Sequence, residues 1–184
     1  VGMLGESFKY VAPVAGAMKY SVEDTSLALG LMANSSIKGS MAGTALKTSL
    51  ANMAAPTDSM AAAMKEYGIS LTDSSGNMKT LKGVMDNLRG SLGGLSETEQ
   101  TAAASTIFGK EAMAGMLAII NASEEDYNKL SEAIYNSKDA AQDMADTMLD
   151  NLDGSMTLMQ SAVEGVQNSF GKRLTPYIRG VVDA

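Results

Sequence analysis

Lys47 and Ser49 stand two residues apart in the stretch SIKGSMAGTALKTSLANMAAP, an amine beside a hydroxyl of the kind used in nucleophilic pairs. No G-x-S-x-G, and no S-x-x-K with its companion motifs, accompanies them. Helix caps and small-residue contacts already account for the hydroxyls of this region. Glu124, Glu125 and Asp126 supply carboxylates, but glycoside hydrolysis needs two of them facing each other across a cleft, one strongly desolvated. These three are consecutive in the first turn of an expected helix, where the helix dipole favours negative charge. Asp73, Ser75 and Asn77 open like a calcium loop, yet the glycine falls at the fourth position instead of the sixth, and the twelfth is Val84 where a bidentate Glu is needed. The chain has no Cys and no His, which removes disulfides, thiol nucleophiles, the usual zinc sites and imidazole catalysis. No catalytic, cofactor-binding or metal-ligating residue is therefore assigned, and the chain is not expected to be an enzyme.

The elements that would position such groups are helices. Hydrophobic residues make up 45% of the 184 residues and charged ones 19%, a balance that folds. Aromatic residues are only 5% while Met reaches 15, so Met and Leu packed against Ala must fill the interior. Ser21 before Asp24, Ser96 before Glu99 and Ser123 before Asp126 repeat the capping-box spacing or its Asp variant. The pattern predicts helices at about Glu6 to Met18, Val22 to Asn34, Ser40 to Ala54, Asp58 to Tyr67, Leu81 to Leu92, Glu97 to Phe108, Lys110 to Ile120 and Glu124 to Asn136. Pro13 inside the first predicts a kink there, or else two shorter pieces. In GISLTDSSGNMKTL, Ile69 and Leu71 alternate with polar residues before a Ser75-Gly76-Asn77 turn, which predicts a small β-hairpin near 69–80. The fold class expected is mainly α: a multi-helix domain with that one hairpin, followed by a long C-terminal helix.

The most regular signal lies at the C-terminal end. Ala141, Ala145, Met148, Leu152, Met156, Met159, Val163, Val166 and Phe170 recur at 3.6 residues per turn and form one candidate interface stripe. A helix over 137–170 would be about 50 Å long at ~1.5 Å per residue, more than a small domain can cover, so the stripe calls for a partner or another copy of the chain. The alternative is a helix bent at Gly154 and folded back on the core. The expected division is a compact helical domain over 1–136 and a long amphipathic helix with a helical extension over 137–184.

Gly39 and Gly43 form a G-x-x-x-G that continues through Ala42, Ala45 and Ala51 as a small-residue face. The flanking Lys38 and Lys47 argue for close packing of helices in water, within the domain, over dimerisation in a bilayer. The longest charge-free stretch, Thr25 to Ile37, has 13 residues, against roughly 18 needed for a membrane crossing. With a net charge of -7 and no basic stripe, direct nucleic-acid binding is not expected. Val1 in place of an initiating Met, with no charged n-region before an apolar run, suggests an excised or processed piece.

Three blocks carry a resemblance: GESFKYVAPVAGAMKYSVEDTSLALGLMANSSIKGSMAGTALKTSLANMA, then YGISLTDSSGNMKTL, then TIFGKEAMAGMLAIINASEEDYNKL. In order and spacing they resemble the core region of phage tail tape measure proteins, the type first associated with lactococcal phages, over about Gly5 to Leu130. The resemblance implies a structural protein of phage or prophage, one that occupies the lumen of the tail tube during assembly in the host cytoplasm and fixes tube length by its own extent. It also implies that the protein leaves the tail when DNA is ejected. Implied partners are further copies of itself and tail tube and tail tip proteins. This chain departs from whole family members in its shortness, and it lacks both their hydrophobic segments and the peptidoglycan-cutting domains some of them carry. The rival from another class is a membrane-acting helical protein of a contractile injection system.

Overall fold

Five helices begin where a hydroxyl can accept a free amide of the first turn. Ser21 accepts from the Asp24 N–H at 3.1 Å, Thr57 from Met60 at 3.4 Å, Thr80 from Gly83 at 3.1 Å, Ser96 from Glu99 at 3.4 Å and Ser123 from Asp126 at 3.0 Å. The computed structural model describes residues 2–136. Among them eight helices follow one another: α1 (Gly2–Ala17), α2 (Val22–Asn34), α3 (Ser40–Ala54), α4 (Asp58–Glu66), α5 (Leu81–Leu92), α6 (Glu97–Phe108), α7 (Met113–Ile120) and α8 (Glu124–Asn136). The C-terminal stripe from Ala141 to Phe170 lies outside the described residues.

Two helix starts differ from expectation, and the ends of α1 and α4 fall one residue early. α1 starts at Gly2, four residues before Glu6, and runs as one helix through Pro13. Pro13 is tolerated because it sits on the exposed side, opposite the buried Ser7, Phe8, Val11 and Ala15, so the carbonyl it leaves without a partner faces water. α7 starts at Met113 and not Lys110, because Gly109 at φ 85° turns the chain and its carbonyl takes the amides of Ala112 and Met113.

The β-hairpin expected near 69–80 is not formed. Among the described residues there is no strand, only an isolated antiparallel bridge between Thr72 and Met78. Ile69 and Leu71 are both buried, but pairing stops at the Lys79 amide to Leu71 and the Asp73 amide to Asn77, because the amides before them are drawn to neighbouring helices. The Ile69 amide bonds back to the Met64 carbonyl at the end of α4, and the Ser70 amide donates to Asn87 Oδ1 on α5 at 3.1 Å. At the tip, the Asp73 carboxylate accepts from the Ser75 and Asn77 amides at 2.8 and 2.9 Å, which makes this an Asx-type turn.

The core is aliphatic and sulfur-rich: Leu27, Leu31 and Met32 of α2, Leu46 and Leu50 of α3, Leu81, Met85 and Leu88 of α5, Ile107 of α6 and Met116 of α7 are all fully covered, with Phe108 as the one ring among the largest. Each such side chain contributes roughly 1.5–3 kcal/mol when taken out of water. α2 is central and packs against α1, α3, α5, α7 and α8, while α3 packs against α1, α2, α4, α6 and α7.

The cap of α6 is a complete capping box, with Glu99 accepting in return from the Ser96 amide at 3.2 Å and from its hydroxyl at 2.6 Å. The Ser96 hydroxyl, then its amide, hold the Glu99 carboxyl below its ordinary value. A carboxyl lowered on folding stabilises the fold above its unfolded pKa and loses that contribution as pH falls through the folded one. Thermal melts of Glu99→Gln should therefore lie below the parent's at neutral pH and converge with them between pH 5 and 3. Parallel decline in both proteins would remove Glu99 from the acid sensitivity.

Candidate functional site

Gly43 lies where another chain segment comes too close for a side chain, and Gly39 where the backbone conformation disfavours one. Gly39 caps α3 at φ 57° and ψ -135°, a backbone that L side chains rarely adopt. Its carbonyl accepts from the Ser7 hydroxyl of α1 at 2.7 Å. Gly43, one turn on, faces the α1 backbone itself: a Cβ placed there would sit 2.1 Å from the Ser7 carbonyl oxygen. Ala42 and Ala45 continue this buried side of α3, and Ala45 approaches Gly115 of α7, where an added Cβ would lie 2.9 Å from that of Ala45. Ala51, expected on the same face, is exposed. The small-residue face thus meets α1 and α7 of its own domain.

A second close approach has no counterpart in the sequence reading. Gly30 of α2 leaves a notch for Leu130 of α8, whose Cδ2 would be 2.7 Å from a Cβ at Gly30. Two tyrosines fasten α8 on either side of that notch. The Tyr127 hydroxyl donates to Asp86 Oδ1 on α5 at 2.5 Å, and the Tyr135 hydroxyl donates to Asp24 Oδ1 on α2. Asp24 is only 5% exposed, and its other oxygen accepts the Lys82 amide at 2.8 Å in the first turn of α5. The Asp24 side chain does not close a box with Ser21; it caps a different helix.

Arg89 closes the far end. Its Nη1 donates to the carbonyls of Ile119 and Ala122, at 2.9 and 2.8 Å, where α7 ends, and its Nη2 reaches Glu124 at 2.7 Å. The guanidinium stacks on the Tyr127 ring, 4.4 Å from its centre. Gln100 and Asn121 exchange amide bonds at 3.0 and 2.7 Å, tying α6 to the residue after α7.

Electrostatics keep the tyrosine hydroxyls protonated. Burial, then the bond to Asp86 and its charge, push the Tyr127 pKa far up, with Arg89 opposing. Burial and the Asp24 bond do the same for Tyr135, and burial with the Asp24 charge raises Tyr20 to about 12. The backbone amide of Asn77, first among several donors, lowers the exposed Asp73. An open depression of about 700 Å³ beside Arg89 and Tyr127 is walled by charges already matched, Lys82 with Asp86 at 3.0 Å and Arg89 with Glu124. Lys47 is exposed whereas Ser49 is wholly buried, so the two cannot act together. Among the described residues no three His, Cys, Asp or Glu side chains gather to hold a metal, and no helix is long and apolar enough to cross a membrane. This arrangement holds helices together.

The family described as Phage-related minor tail protein matches residues 1–109 of this chain. Over 181 residues the chain is 39% identical to the tape measure protein of Pneumococcus phage Dp-1, which takes in 98% of this chain and 16% of that protein. Over 166 residues it is 32% identical to the probable tape measure protein of Escherichia phage P2, 89% of this chain and 20% of that one. The chain thus spans at most a fifth of the length of these curated relatives. No solved structure matches it.

Proposed function

Since this chain belongs to the phage-related minor tail protein family, we propose that it is a helical, non-catalytic segment of a tail tape measure protein, a virion component that sets tail tube length during assembly and takes part in DNA ejection. The observation that carries this reading is near-complete coverage of the chain by its alignment with a tape measure protein. The packing supports it, because Asp24, Asp86, Arg89 and Glu99 serve as caps and interhelical bonds and Ser49 is wholly buried. The partners in this reading are further copies of the chain and tail tube and tail tip proteins, and the setting is the tube lumen after assembly in the host cytoplasm.

The folded domain is not where length would be measured. Its longest helix has 16 residues, which rises only about 24 Å at ~1.5 Å per residue. Breaking into eight short helices discards most of the reach that residues 2–136 would have as one rod. In this reading the stripe from Ala141 to Phe170 is the segment that supplies such reach, with its apolar positions taken out of water by another chain. The domain then serves as a packed node, and the stripe as a stretch of ruler that self-associates.

In the full-length protein, removal of residues 144–161, 18 residues or five helical turns, keeps the stripe in phase. Electron micrographs of the resulting virions should show tails about 27 Å shorter, at ~1.5 Å per residue, and duplication of the same residues should lengthen them equally. Tails of unchanged length in both would refute the ruler role of this segment, and liposome binding by the purified chain would favour the membrane-acting rival.

A further inference from the structure

The α3/α7 surface carries an apolar groove that nothing in the domain covers. Ile37, Met41, Thr44, Thr48, Ala114 and Gly115 line a groove of about 310 Å³, with Met41 67% exposed at its edge. Its floor is made of small residues, because Gly115 and Ala45 sit too close together for larger ones. A shallow floor of this kind accepts long, flexible apolar side chains from a helix laid along it. Lys38 adjoins Ile37, Lys47 adjoins Thr48 and Lys110 adjoins Glu111, so three exposed ammonium groups stand around a lining whose one carboxylate is Glu111.

We propose that the occupant of this groove is the apolar stripe of residues 141–159 from a second copy of the chain; the proposal rests on the reading of that stripe as a self-association surface. The chemistry matches on two counts. Met148, Leu152, Met156 and Met159 are the long, pliable side chains that a small-residue floor takes, at the spacing of one helix face. Residues 139–164 hold six carboxylates and no Lys or Arg, opposite in sign to the groove's surroundings. Asp139, Asp143, Asp146, Asp150 and Asp153 repeat at steps of 4, 3, 4 and 3 on the side away from the stripe, so they steer approach and stay solvated while the apolar side docks.

Geometry favours another copy over the chain's own groove. α8 runs antiparallel to α2, since Leu130 meets Gly30 and Tyr135 meets Asp24. Its C-terminal end therefore lies at the start of α2, whereas Ile37 follows the other end, roughly 15–20 Å away at ~1.5 Å per residue.

The test uses the 184-residue chain, which has no native cysteine. A chain with Thr44→Cys is mixed with one carrying Met148→Cys and oxidised with diamide; the control pairs Met148→Cys with Ser59→Cys, exposed on α4. The mixed disulfide with Thr44→Cys should exceed the control at least about tenfold, and in sedimentation Thr44→Glu should raise the dissociation constant about tenfold or more with helix content unchanged, because it places a carboxylate under the docked apolar side. Cross-linking at the control level, or an unaltered dissociation constant, overturns the groove as the site. Leu152→Asp with Met159→Asp separates the two readings. If that pair dissociates the oligomer while Thr44→Glu does not, the stripe associates elsewhere and only the groove proposal falls. If that pair leaves association intact, the stripe reading itself falls.

Discussion

Gly43→Ala is expected to lower stability by about 3 kcal/mol or more, although alanine is the better helix former by ~1 kcal/mol. The sign is decided by what the added methyl meets. Its carbon would lie 2.1 Å from the Ser7 carbonyl oxygen, 2.9 Å from the carbonyl carbon and 3.0 Å from Cα. All three are backbone atoms of α1, so no side-chain rotation relieves the clash and the helices must separate. Separation stretches the Ser7 hydroxyl bond to Gly39 and uncovers Phe8, Val11 and Ala15, which α1 buries. Gly90→Ala is the matched control: Gly90 is also helical and exposed, with nothing within 4 Å of a Cβ, so the same exchange there should stabilise by roughly 0.5–1 kcal/mol. Urea midpoints of the two variants should therefore move in opposite directions. A Gly43→Ala midpoint at or above the parent's would mean that α1 does not pack on α3 as closely as the structure has it.

What was legible in the sequence is what depends on neighbours along the chain. Ser96 and Glu99 mark the start of α6 because a capping box needs only four consecutive residues. The spacing of Gly39 and Gly43 marks a close approach, but not which backbone approaches. That Ser7, 36 residues earlier than Gly43, fills the gap depends on the path of α1. Asp24 is the clearest case of a misread role: it fits the Asp variant of a box with Ser21, yet its oxygens go to Lys82, 58 residues on, and Tyr135, 111 residues on. The 69–80 segment misleads for the same reason. Alternation at Ile69 and Leu71 reports burial on one side, and burial does not require a strand when Asn87 of α5 is placed to take the backbone amide of Ser70. Gly30 could have been flagged as a lone glycine within an apolar helix, the usual mark of a close contact, but its partner Leu130 belongs to an element 100 residues away.

Arg89→Ala should cost about 3 kcal/mol, and the comparison with Glu124→Ala shows which of its bonds matters. The structure gives Arg89 one carboxylate partner and two carbonyl partners. Glu124 is 81% exposed on its side chain, so its ion pair is screened by water and should contribute no more than about 0.5 kcal/mol. The carbonyls of Ile119 and Ala122 are different. The Ile119 carbonyl lies in the last turn of α7 and that of Ala122 just beyond it, and the partial negative charge of the helix end adds to their pull on a cation. Removing Arg89, only 11% exposed on its side chain, takes a charged donor from both carbonyls, leaving Ile119 with the Ala122 amide at 3.4 Å, and withdraws the cation from the Tyr127 ring, which loosens α8 from α5 as well. Arg89→Lys should recover little, since a single ammonium cannot reach two carbonyls while stacking flat on a ring. The expected order of unfolding free energies is parent, then Glu124→Ala close behind, then Arg89→Lys, then Arg89→Ala. Equal losses for Glu124→Ala and Arg89→Ala would place the stabilisation in the exposed ion pair and remove Arg89 as the cap that joins α5, α7 and α8.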